Sequence, residues 1–64
     1  MALNTNTART TFDIGEMEAC ARSKDPDVRY SLTLNPQAPE AILSILVEDP
    51  DPDVRESARS RVSG

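Results

Sequence analysis

Carboxylates at every second position, Asp49, Asp51 and Asp53, are the arrangement with which a calcium-binding loop begins. Such a loop also needs glycine at its sixth position and a bidentate glutamate at its twelfth; counted from Asp49, those places hold Val54 and Ser60. Pro50 and Pro52 stand between the aspartates, so the tract reads as helix caps and corners rather than as a metal site. The one cysteine, Cys20, cannot close an intrachain disulfide or assemble a thiolate cluster, and histidine is absent. A nucleophile would therefore have no imidazole base beside it. Acyl or phosphoryl chemistry would have to rest on Lys24, the sole lysine, or on a carboxylate pair held in a pocket, which a chain of 64 residues is poorly able to enclose. No catalytic residue, cofactor or metal ligand is expected, and the chain reads as a non-enzyme.

Charge narrows the binding classes. Eleven acidic against seven basic residues give a net charge of −4, which opposes association with nucleic acid or anionic lipid and suits a partner with a basic face. Arg55, Arg59 and Arg61 gather near one end, but Arg59 and Arg61 fit the last turn of a helix, where the backbone dipole favours cations. Phe12 and Tyr30 are the only aromatics and form no stacking ladder for single strands. The chain has no apolar run near 18 residues and its start lacks the apolar stretch of a secretory signal, so a soluble cytoplasmic protein is expected.

The elements that would position these side chains are helices. Residues 1 to 10 are polar, with Leu3 their one large apolar side chain, and are expected to be a flexible tail. Asp13-Ile-Gly-Glu16 has the form of an N-cap followed by an acid three residues later, with Thr11 competing for the cap, and starts a helix running to about Lys24. Ile14, Met17, Cys20 and Ala21 share one face of it. Asp25 caps a second helix with Pro26 at its first position and Val28 and Leu32 facing inward; Asn35-Pro36 stops it after about two turns. Glu40 to Glu48 is the most apolar segment, and with Ile42, Leu43, Ile45, Leu46 and Val47 it is expected to be the central helix, contacted on two sides. Asp51-Pro52 opens a last helix with Val54, Ala58 and Val62 inward.

Asp25-Pro-Asp-Val-Arg29 returns unchanged as Asp51-Pro-Asp-Val-Arg55, a period of 26 residues from 25 to 51. The same shift aligns Asp13 with Pro39, Met17 with Leu43 and Cys20 with Leu46, which makes Cys20 a buried, inert position. Two units follow, about 13–38 and 39–64, with Asp25, Pro26, Val28 and Arg29 repeated as Asp51, Pro52, Val54 and Arg55. Arg29 and Arg55 are expected to pair with an aspartate of their own or the adjacent unit, Asp25 and Asp51 being at hand.

Together with Leu32-Thr-Leu-Asn-Pro36 and with Pro39 followed by Leu43 and Leu46, these tracts make segment 24–58 similar to the variant leucine-rich repeat, a relative in construction of HEAT-like repeats. The resemblance implies an all-α, right-handed stack of about two short helical repeats, an α-solenoid fragment of roughly four helices. This chain departs from the family in three ways. It has about two units where members usually carry many, it lacks the four cysteines with which some members bind an iron–sulfur cluster, and Ala38 stands where the pattern prefers a capping threonine, a bond worth about 1 kcal/mol.

The function expected from these readings is non-catalytic protein binding, as an adaptor or scaffold. Two alternatives stay open: an acidic inhibitor or antitoxin-like protein masking the basic face of a nucleic-acid-binding target, and a self-assembling structural oligomer. An open-ended stack also invites a homodimer. The expected contact residues are Tyr30, Leu34, Glu48, Asp49 and Asp51.

Overall fold

Short acidic and amide side chains set where four of the five described helices begin. In the computed structural model, which describes residues 4–63, five helices follow one another: α1 (Thr5–Thr10), α2 (Ile14–Ala21), α3 (Pro26–Thr33), α4 (Glu40–Leu46) and α5 (Pro52–Ser63). Asp25 Oδ1 accepts the Asp27 N–H at 2.9 Å, and Asp51 Oδ1 accepts those of Asp53 and Val54 at 2.8 and 3.2 Å. Pro26 and Pro52 each occupy the first helical position, where the missing N–H leaves no bond unmade. The caps satisfy backbone donors that helix geometry leaves without partners.

The start of α2 resolves the competition between Thr11 and Asp13. Asp13 is the cap and accepts the Glu16 N–H at 3.1 Å, while the Thr11 hydroxyl accepts the Asp13 N–H at 3.0 Å and donates to the Glu16 carboxylate. Thr11 thus relays the reciprocal bond that Glu16 would make directly in a capping box. At α4 the expectation fails. Its cap is Pro39, which makes no side-chain bond, and Ala38 lies one residue outside the helix with only 7% of its surface exposed. A threonine at position 38 would therefore gain no cap.

Two of the expected elements need correction. Residues 5–10 of the expected tail form α1, capped by Asn4, whose side chain accepts the Thr7 N–H at 2.9 Å; the first three residues of that tail lie outside the described residues. A single turn and a half rich in threonine does not hold itself. Tertiary contacts fix it: Ala8 is fully buried, and the buried Asn35 side chain donates to the carbonyls of Ala8 and Thr11 at 3.0 and 2.9 Å. The described residues therefore hold five helices where roughly four were expected, and the packed region begins well before Thr11.

The second correction concerns the centre. α3, not α4, packs against all four other helices, whereas α4 meets only α2, α3 and α5, and α1 and α5 do not meet. Leu32 and Val28 fill the core from α3, and the small side chains of Ser31 and Thr33 let neighbours approach closely. α4 buries Ile42, Leu43 and Leu46 but leaves Ile45 41% exposed, because among the described residues no element covers that side. Met17, Cys20, Ala21, Leu46, Val54 and Ala58 complete one apolar core, and Ile14, expected inward, is exposed. The elements repeat in register: α2 and α4 begin at 14 and 40, and α3 and α5 at 26 and 52.

Candidate binding groove

α3 and α5 lie side by side, and the seam between them forms an open groove of about 1090 Å³. Helical spacing determines what faces it. From α3 and the turn after it come Asp27, Tyr30, and then Thr33 and Leu34, at steps of three or four from Tyr30; from α5 come Asp53, Ser57, Ser60 and Arg61. Glu56 joins them on the α5 side. The floor is tight and polar: Thr33 Oγ1 lies 2.6 Å from Ser57 Oγ, and Val54 is buried beneath. The Arg61 guanidinium donates to the carbonyls of Thr33 and Asn35, the latter at 3.1 Å, so it satisfies acceptors that the end of α3 leaves open.

Of the five contact residues read from the sequence, the structure brings three to this groove. Tyr30 and Leu34 line it and remain 40% and 48% exposed. Asp51 lines it too, but its carboxylate is committed to capping α5. Glu48 is exposed on the corner after α4, outside the groove.

Asp49 is not a surface contact. It is 6% exposed and forms an ion pair with Arg29, with Nε to Oδ2 at 2.8 Å and Nη2 to Oδ1 at 3.3 Å. An aspartate of the adjacent unit was expected for Arg29, and the one it meets is Asp49 rather than Asp25 or Asp51, whose side chains bond the first backbone N–H groups of α3 and α5. Arg29 also donates to the Ser23 carbonyl at 2.7 Å, and Arg55 donates in the same way to the Asp49 carbonyl at 3.1 Å. The two arginines thus brace equivalent corners, 23 and 49, which lie 26 residues apart. Arg29 alone reaches onward to a carboxylate of the second corner.

The groove residues missed in the sequence include Asp27, Thr33, Asp53, Glu56, Ser57, Ser60 and Arg61. The repeated pentapeptide could have pointed to Asp27 and Asp53, which occupy the same place in each copy, but not to Ser57 or Arg61, whose counterparts Ser31 and Asn35 are buried. A smaller hollow of about 330 Å³ lies beside the exposed Phe12 ring, lined by Arg9, Thr10, Asn35, Pro36 and Gln37.

Other chemistry-bearing side chains stand apart. Cys20 is fully buried, and burial first, then the negative charge of Glu16, pushes its thiol above the ordinary range. Among the described residues no group of three His, Cys, Asp or Glu side chains converges to hold a metal ion, and no helix is long and apolar enough to cross a membrane. Asp49, Asp51 and Asp53, the alternating carboxylates, are separated by their duties: one in an ion pair, one in a cap, one on the groove rim. Family models, curated proteins and solved structures were compared with the chain, and none matches it.

Proposed function

We propose that this chain is a small, non-catalytic protein-binding module, an adaptor or scaffold built from two variant leucine-rich, HEAT-like units, and that it binds through the groove between α3 and α5. The observation that carries this reading is the presence of Tyr30 and Leu34, two large and partly exposed side chains, on the wall of a preformed groove. Tyrosine is among the residues that contribute most at protein interfaces, and Leu34 adds apolar surface beside it. The matched starts of α2 with α4 and of α3 with α5, and the placement of α3 between α1 and α5, are what stacked helical units would produce. Catalysis finds no support in the groove: Thr33 and Ser57 bond to each other, and no imidazole exists to activate either hydroxyl.

The test compares affinity capture from a lysate of the source cells using the native chain and a Tyr30→Ala/Leu34→Ala variant, both shown to be helical by circular dichroism. A stoichiometric protein recovered by the native chain and lost with the variant is expected. Equal recovery by both would remove the groove from the binding surface. Recovery of this chain alone would turn the reading towards self-assembly.

A further inference from the structure

Resting on that reading, we infer that the occupant of the α3–α5 groove is a short basic segment in which arginine or lysine alternates with an aliphatic side chain. Four carboxylates, Asp27, Asp51, Asp53 and Glu56, line the groove against one cation, Arg61, and that guanidinium is already spent on backbone carbonyls. Asp27, Asp53 and Glu56 make no side-chain hydrogen bond or ion pair among the described residues. First-turn helix electrostatics account for Asp27 and Asp53, but Glu56 lies beyond the first turn of α5 and has no such role.

Opposite charge is what this unneutralised rim lacks, and a phosphate backbone would be repelled. Tyr30, 40% exposed on the groove wall, supplies aromatic surface of the type that attracts a guanidinium, and the carboxylates alongside add to that attraction. Leu34 gives an aliphatic neighbour somewhere to lie. Length sets the size of the segment: the eight residues of α3 span about 12 Å, which about four extended residues cover.

The assignment is tested by fluorescence anisotropy with a short labelled peptide alternating arginine and leucine, alongside the same peptide with citrulline for arginine. Citrulline keeps the shape and removes the charge. The native chain is expected to bind the arginine peptide about ten-fold more tightly than the citrulline one. Asp27→Asn/Glu56→Gln should weaken binding about five- to ten-fold, whereas Glu18→Gln/Glu40→Gln, matched in charge and with Glu40 also in a first turn, should leave it unchanged. Should the groove pair unfold the protein, Tyr30→Ala carries the same expectation.

Absence of arginine-peptide binding, equal binding of the citrulline peptide, or equal weakening by the matched pair would each overturn the assignment. If any of these occurs while a captured partner still depends on Tyr30 and Leu34, the binding-module reading stands and only the basic segment falls. If capture fails as well, both fall.

Discussion

Replacing Asp49 with alanine removes one half of an ion pair whose side chains are only 15% exposed at Arg29 and 5% at Asp49. Two magnitudes compete here. An exposed pair is worth ~0.2–1 kcal/mol, whereas stripping one partner from a buried pair costs ~3–5 kcal/mol because the other charge stays desolvated. The 5% figure places Asp49 firmly with the buried class, while Arg29 retains the Ser23 carbonyl and a partial path to water. Asp49 Oδ1 also accepts the Asp51 N–H at 2.9 Å, so alanine opens the corner that leads into the Asp51 cap. About 2–4 kcal/mol is expected.

For 64 residues the total stability is of order 3–10 kcal/mol, so this one change removes a large share of it. At ~4–8 °C per kcal/mol for a domain of this size, Tm should fall by about 8–32 °C. Urea denaturation followed by circular dichroism gives the free energy directly. Asp49→Asn keeps an acceptor for Asp51 and isolates the charge. A cycle with Arg29→Met then measures the coupling, expected at ~1–3 kcal/mol. A loss below about 0.5 kcal/mol for Asp49→Ala, or a coupling indistinguishable from zero, would refute the argument that burial decides the strength of this pair.

Asn35→Ala should cost about 2–3 kcal/mol, since the side chain bonds the Ala8 and Thr11 carbonyls and accepts the Gln37 N–H at 2.8 Å; hydrogen exchange should show α1 amides losing protection while α4 keeps its own. Ala38→Thr should lower Tm, because it overpacks a buried site without reaching the cap position; a rise would restore position 38 as the cap of α4. Cys20 should resist alkylation in the folded protein and react readily in urea; equal rates would contradict its burial. Its folded thiol titrates above the unfolded one, so its contribution is intact below the unfolded pKa near ~8.5 and is lost as pH rises through the folded value. Cys20→Ala should flatten that alkaline decline in melting experiments.

What the sequence disclosed was local. Asp13, Asp25 and Asp51 bond donors two or three residues away, so their spacing alone located three helix starts. The partner of Arg29 was hidden because Asp49 lies 20 residues further on and only the packing of the corner after α4 against α3 brings it near. α1 was hidden for the same reason: its order comes from Asn35, 27 residues beyond Ala8, and its own residues bury little apolar surface. The choice of α4 as the centre failed because apolar content measures what a helix can bury and says nothing of how many neighbours it meets. α3, with its buried Ser31 and Thr33, is the helix that meets all four others.

The α3–α5 seam also separates side chains that hold the fold from side chains that stand free on the groove wall. Thr33 with Ser57, Arg61 with the Thr33 and Asn35 carbonyls, and Arg29 with Asp49 tie α5 and the corner before it to α3 and the turn after it through polar contacts, of which Arg29 with Asp49 is an ion pair. Asp27, Tyr30 and Glu56 take no side-chain part in those contacts and stand exposed along the same groove. Stability and recognition should therefore respond to different substitutions at neighbouring positions. Thr33→Val leaves the Ser57 hydroxyl without its partner and removes the bond to the Tyr30 carbonyl, so it should cost about 1–3 kcal/mol in denaturation. Glu56→Gln should leave the denaturation midpoint within about 0.5 kcal/mol of the native value while weakening the arginine peptide. If the two substitutions instead moved stability and binding in fixed proportion, the groove would be a product of folding alone, and the free carboxylates on its rim would have no recognition to account for them.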